Sequence, residues 1–269
     1  MKSKYFIAGI LVIAVCLITG FSKRQPVLYL IGDSTVATTT PQSAIQGWGG
    51  YLSSFFDTTK IRIENRAVAG TSSRTYQTKG VHTIEMLKNG MWDSIKVTLK
   101  PGDFVMMQFG HNDDSPVNDS ARARGSLKGI GADSVLIYNR FLKRTEVVHS
   151  YGWYIKKFIS DTRLRGAVPI VCSPVPKNFW NDSHVIRNTD DYGKWGSTVA
   201  ENTGTFFIDL NKLIADQYDA EGQQKVNSLY FVKDNIHTTR AGAQLNAALV
   251  AGAIRAGKSC PLKDYLKNQ

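Results

Sequence analysis

The sequence predicts an α/β fold, a three-layer α/β/α sandwich on a five-stranded, mostly parallel sheet. Two observations carry this expectation. Five short apolar runs bounded by turn residues, at 27–31, 61–63, 104–109, 168–172 and 205–208, have the length and composition of buried strands. Stretches with helical spacing fall between them, and strands alternating with helices build parallel sheets covered on both faces.

Taken in chain order, the first segment reads as an export signal. Lys2 and Lys4 precede an apolar run over 6–19, and the small residues Gly20 and Ser22 follow it. Residues 1–22 are therefore expected to be removed near Lys23, leaving one domain over 23–269. An uncleaved membrane anchor is the alternative, because the run is only slightly shorter than the roughly 20 apolar residues of a span. Cys16 follows Val15, a poor neighbour for lipid attachment, and reads as a residue of the apolar run.

Past the first strand, Trp48, Tyr51, Leu52 and Phe55 share one helical face, and Ile155, Phe158 and Ile159 share another. Near the C-terminus Ala241, Leu245, Ala248 and Leu249 form an apolar stripe. The segment 113–144, rich in Gly, Ser and charge, reads as a long excursion over one edge of the sheet rather than a second domain. Cys172 ends a strand and Cys260 lies in the tail. An exported chain permits a bridge between them, and two buried thiols are the other reading.

Composition narrows the partners. The chain of 269 residues is 42% hydrophobic and 20% charged, ordinary for a packed domain. Its formal charge is +11, and loss of residues 1–22 removes Lys2 and Lys4 with no acid, leaving +9. A basic surface favours anionic partners. No nucleic-acid motif accompanies it, since Arg122, Arg124 and Lys128 form only a loose cluster, so nucleic acid is not expected as a partner.

Ligands of open parallel sheets sit beyond the carboxyl ends of the strands, and four segments there carry chemistry. Gly32-Asp33-Ser34-Thr35 follows the first strand and would present the Ser34 hydroxyl at a tight strand-to-helix turn. A serine is a weak nucleophile until a base takes its proton. Asp234-Asn235-Ile236-His237 offers such a base beside a carboxylate that can fix its tautomer. Asp182 and His184 are a rival pair with no nucleophile context. Phe109-Gly110-His111-Asn112 supplies a side-chain amide, and the stretch from Asn65 to Arg74 supplies a backbone N–H at Gly70; both suit an oxyanion. Each segment alone is equally an ordinary turn.

In this order, GDST, N-x-x-x-x-G, GHND and D-x-x-H resemble the four consensus blocks of SGNH hydrolases, also called the GDSL family. The resemblance implies a flavodoxin-like fold and makes 23–269 a catalytic domain. It also implies Ser34 as nucleophile, Asp234 and His237 as the rest of the triad, and Gly70 and Asn112 with the Ser34 N–H as oxyanion donors. Gly47-Trp48-Gly49, AVAGTSSRTY, FGHND and HTTRAGA narrow the likeness to rhamnogalacturonan acetylesterases of bacterial type. Asn235 departs from the fungal type, which has His there.

The implied activity is a cofactor-free, secreted or periplasmic serine acetylesterase. The implied substrate is an acetylated pectic backbone whose galacturonate carboxylates suit the basic charge. Acetylesterases for xylan, lipase- or thioesterase-like relatives, and a non-catalytic polysaccharide-binding protein are the alternatives. Trp48, beside its glycines, is a candidate to stack on sugar, with the core as the alternative place for an aromatic residue, and Arg74, on the Gly70 loop, is a candidate to reach a substrate carboxylate, with a surface ion pair as the alternative. His111 reads as a turn histidine bonded to backbone. His82, His149 and His184 lack metal-ligand spacing, so no metal is expected.

Overall fold

The computed structural model describes residues 24–81 and 90–268. Within them the expected sheet is present: β1 (Val27–Gly32), β2 (Arg62–Asn65), β3 (Phe104–Gln108), β6 (Val168–Cys172) and β9 (Phe206–Ile208) lie in the order β2-β1-β3-β6-β9. Every pairing in this sheet is parallel. The order reverses direction beside β1, so the loops leaving β1 and β3 diverge and open a crevice there. The export segment 1–22 and His82 lie outside the described residues.

Alternation along the buried strands sends side chains to two cores. Leu28, Leu30, Phe104, Met106 and Ile170 pack on one face against α4 (Leu210–Glu221) and α6 (Arg240–Ala256). Tyr29, Ile31, Val105 and Met107 pack on the other against α1 (Met91–Lys96), α2 (Tyr151–Leu164) and α3 (Tyr192–Thr203). Side-chain caps start the long helices: Ser150 accepts from the Trp153 N–H, and Asp209 from that of Lys212. Ile155, Phe158 and Ile159 face the core of α2 as their spacing predicts.

Several details differ from the expectation. The residues from Trp48 to Phe55 form two 3₁₀ turns, Trp48–Gly50 and Leu52–Phe55, rather than one α-helix. Gly47 and Gly49 explain this local geometry: a Cβ on Gly47 would lie 2.4 Å from the Ala37 carbonyl, and one on Gly49 2.5 Å from that of Val36. The buried face of α6 runs through Ala243, Ala247, Val250 and Ile254. Ala241, Leu245 and Leu249 only flank this face, and Ala248 is exposed.

The excursion over 113–144 runs into a hairpin that its sequence did not signal, β4 (Ser134–Asn139) with β5 (Arg144–His149). Two further minimal strands, β7 (Trp180–Asn181) and β8 (His184–Val185), pair with each other. Of the remaining helices, α5 (Gln223–Leu229) contributes Val226 to the core. Cys172 and Cys260 are buried free thiols, and burial pushes the Cys172 thiol well above its ordinary range. No described helix is long and apolar enough to cross a membrane.

Candidate active site

Ser34 leaves β1 in a tight turn rather than at the head of a helix. The N–H groups of Val36 and Ala37 both return to the Asp33 carbonyl, and the Asp33 carboxylate accepts from the Thr35 N–H at 2.9 Å and its hydroxyl at 2.7 Å. Asp33 is fully buried; burial raises its pKa, but His111 and the Thr35 bonds outweigh that and leave it below its ordinary value. His111 Nδ1 lies 3.4 Å from Asp33 Oδ2 without a formed hydrogen bond, while its Nε2 faces the Val175 carbonyl at 2.9 Å. This is the backbone-bonded turn histidine that the sequence predicts, with a buried carboxylate at its other end.

The Ser34 hydroxyl meets His237 Nε2 at 2.8 Å, and His237 Nδ1 meets Asp234 Oδ2 at 2.5 Å. Asp234 also folds its own loop, because Oδ1 accepts from the Ile236 N–H at 3.0 Å and the His237 N–H at 2.8 Å. Partial burial raises the Asp234 pKa, but these hydrogen bonds prevail and hold it below the ordinary carboxylate value. Asn235, between them, has φ 59°. Asparagine tolerates this left-handed conformation, so the departure at 235 is compatible with the loop. Asp182 and His184 do not form a rival pair, since His184 Nδ1 faces Asp219 of α4 at 3.1 Å while Asp182 sits in the turn between β7 and β8.

Ser34, Gly70, Asn112 and His237 line one cavity of about 650 Å³. Among the described residues neither the Ser34 nor the Gly70 backbone N–H has a hydrogen-bond acceptor within the protein. Gly70 adopts φ 78°, a turn conformation that favours glycine. The Asn112 amide donates to the Thr71 carbonyl at 2.8 Å, which leaves its second Nδ2 hydrogen. Two backbone donors and one side-chain donor thus border the hydroxyl, a set suited to a developing oxyanion.

Arg74 and Trp48 take other places than expected. The Arg74 side chain is fully buried and forks onto Glu146, Nε to Oε1 at 3.0 Å and Nη2 to Oε2 at 2.7 Å. Its Nη1 donates to the Val117 and Gly125 carbonyls, both at 2.7 Å. It therefore ties the excursion and hairpin to the Gly70 loop and has no donor left to offer a ligand on Nη1 or Nε. Trp48 is 1% exposed and its indole N–H donates to Gln108 Oε1 at 2.8 Å, so its face belongs to the core.

The arginines that do line the cavity are Arg122 and Arg124. Arg124 Nη1 donates to Asn112 Oδ1 at 2.5 Å. The Arg122 side chain makes no hydrogen bond or ion pair with described residues and sits near Gly70, where a Cβ would lie 3.3 Å from its Nη1. In sequence these two are part of a loose basic cluster, and only the folding of the excursion turns them to the cavity. Among the described residues no three His, Cys, Asp or Glu side chains gather as a metal site.

Comparison with known proteins finds relatives that cover most of the chain. A rhamnogalacturonan acetylesterase of Emericella nidulans is 29% identical over 222 residues, covering 82% of this chain and 81% of the relative. The Bacillus subtilis rhamnogalacturonan acetylesterase RhgT is 24% identical over 259 residues, covering 90% of this chain and 95% of the relative. The crystal structure of the Bacillus subtilis protein YxiM superposes with a TM-score of 0.68 at 23% identity, over 88% of this chain and 58% of that one, and shares the fold. The sequence pattern of the GDSL-like Lipase/Acylhydrolase family matches residues 30–245, and the chain belongs to that family of carboxylic ester hydrolases.

Proposed function

We propose that the chain is an exported O-acetylesterase that removes acetyl groups from an acidic polysaccharide, acetylated pectic rhamnogalacturonan. The observation that carries the chemistry is the Asp234–His237–Ser34 hydrogen-bond chain at the cavity. His237 Nε2 accepts the Ser34 proton as Oγ attacks the acetyl carbonyl, and Asp234 stabilises the resulting imidazolium. The negative oxygen of the tetrahedral intermediate is taken by the N–H groups of Ser34 and Gly70 and by Asn112 Nδ2.

Collapse of the intermediate breaks the ester bond. His237 returns the proton to the departing sugar hydroxyl and leaves an acetyl group on Ser34. Water activated by the same imidazole then attacks the acetyl carbonyl, and acetate leaves as Ser34 recovers its proton. No cofactor takes part in these steps.

The acidic substrate is supported by Arg122 on the cavity wall beside Gly70, by the basic composition, and by the names of two relatives. Export is supported by the order of charge, apolar run and small residues over 1–22, and it would bring the enzyme to an extracellular polymer. Acetate release from a panel of polymers tests the reading, with Ser34→Ala as the inactive control. Acetylated rhamnogalacturonan should give the highest kcat/KM. Better turnover of neutral acetylated xylan would overturn the substrate and leave the esterase.

A further inference from the structure

We infer that Arg124 is a positioning residue for the reaction: it locks the Asn112 amide with its N–H side toward the cavity and strengthens that N–H as an oxyanion donor. The inference rests on the reading of Asn112 as one of the oxyanion donors.

An asparagine amide can turn over and exchange its oxygen for its nitrogen. Here both ends are committed. Oδ1 receives the Arg124 Nη1–H at 2.5 Å, and Nδ2 gives one hydrogen to the Thr71 carbonyl at 2.8 Å. Turning the amide over would oppose two donors at Arg124 and two acceptors at Thr71, so the observed orientation is the one that both neighbours demand. The Nδ2 hydrogen not used by Thr71 is then always available to the cavity that Asn112 lines.

Charge adds to orientation. A cationic donor on Oδ1 draws electron density from the amide, and hydrogen bonds in such a chain polarise one another. The Nδ2–H becomes a better donor to a developing negative oxygen. A neutral donor in place of Arg124 would hold the orientation without this second effect.

The loop carrying Arg124 is built to hold it there. The Asp119 carboxylate collects the N–H groups of Ala121 at 2.8 Å, Arg122 at 2.7 Å and Ala123 at 3.0 Å. Partial burial raises the Asp119 pKa, but these three donors more than compensate and keep it below its ordinary value. Ala123 is buried at φ 46°, a conformation that residues with a Cβ seldom adopt. Arg124 Nε is buried with no hydrogen-bond partner among the described residues, so the guanidinium gives up a bond to reach Asn112.

A small neutral aryl acetate tests this without polymer binding. Arg124→Ala should lower kcat about 10- to 100-fold with KM changed less than about twofold, and Asn112→Ala should lower it about 100- to 1,000-fold, the usual effect of losing one oxyanion donor. The double variant should be no slower than Asn112→Ala, because Arg124 acts through that amide. Methylguanidinium should partly restore Arg124→Ala and leave Asn112→Ala unchanged. Arg124→Lys, which keeps the charge but loses the planar guanidinium that reaches Asn112, should fall between wild type and Arg124→Ala and remains informative if the alanine variant does not fold.

Unchanged kcat in Arg124→Ala, an effect confined to KM, or losses that multiply in the double variant would overturn the inference. If Asn112→Ala itself keeps wild-type kcat, the oxyanion reading fails first and the two failures are distinguished.

Discussion

Asn178 holds Asn235 at two points: its backbone N–H donates to the Asn235 carbonyl at 2.8 Å, and its side-chain amide donates to Asn235 Oδ1 at 3.1 Å. The Trp180 indole fixes the other end of the Asn178 amide through Oδ1 at 2.7 Å. The clamp grips the left-handed residue between Asp234 and His237, on a loop that Val232 closes by donating to the His237 carbonyl at 2.9 Å.

Removing the clamp should therefore disturb catalysis before it disturbs the fold. Asn178→Ala keeps the backbone bond and removes the side-chain one, and is expected to lower kcat on an aryl acetate about tenfold, since the loop between the carboxylate and the imidazole loses one of its two ties. Stability should fall by about 1–2 kcal/mol, the scale of a lost buried hydrogen bond that leaves a partner unpaired. Steady-state kinetics and chemical denaturation of the same preparation read the two effects. A stability loss with full kcat would assign Asn178 to the scaffold alone.

Arg74 is expected to behave as a structural residue. Arg74→Ala removes a buried fork to Glu146 and two carbonyl contacts, so it should destabilise by about 3–5 kcal/mol, the range for breaking one partner of a buried pair. Glu146, held below its ordinary pKa by Arg74 and Asn139 despite the opposing effect of burial, would lose its main partner. Thermal unfolding measures this. Wild-type stability with a loss only on acidic polymers would return Arg74 to substrate binding.

Asp113 predicts a pH dependence of stability. Burial raises its carboxyl to about 6, against the opposing hydrogen bonds from Ser73 and Ser126. Its folded pKa lies above the unfolded value of 3.8, so the folded state holds the proton more tightly. The corresponding stability is present below about pH 4 and is lost as pH rises through about 6. Asp113→Asn, which can still accept from the Ser73 N–H and donate to the two hydroxyls, should remove the dependence. Relative to wild type it should gain up to about 3 kcal/mol between pH 4 and pH 7, since each tenfold difference in proton affinity between the folded and unfolded states is worth about 1.4 kcal/mol. Denaturation curves at the two pH values check the difference, and parallel behaviour of both proteins would refute it.

Arg122 predicts selectivity for charge. Its guanidinium lines the cavity without a described partner, so Arg122→Gln should raise KM for acetylated rhamnogalacturonan about tenfold and leave the aryl acetate unchanged. Added salt should produce the same divergence in wild type, because the Debye length shrinks to about 8 Å at physiological ionic strength. Equal responses of the two substrates would remove Arg122 from carboxylate recognition.

What the sequence by itself determines is local. The five sheet strands, the turn after β1 and the Asp234-to-His237 spacing depend on neighbours a few residues away, and each is legible from composition and period. The order of those segments along an alternating chain also implies that Ser34, Gly70, Asn112 and His237 gather at the carboxyl ends of the strands, which is where the cavity lies.

Only the tertiary structure decides the fate of polar and aromatic side chains whose partners are remote. Arg74 finds Glu146 across 72 positions, and Trp48 finds Gln108 across 60, so neither commitment leaves a mark in its own segment. The same holds in reverse for Arg122 and Arg124, which lie in a stretch without hydrophobic period and acquire their positions from the Asp119 turn. A charged side chain is placed by whichever acceptor the folded chain brings within about 3 Å. The identity of that acceptor is a property of the fold, not of the surrounding residues.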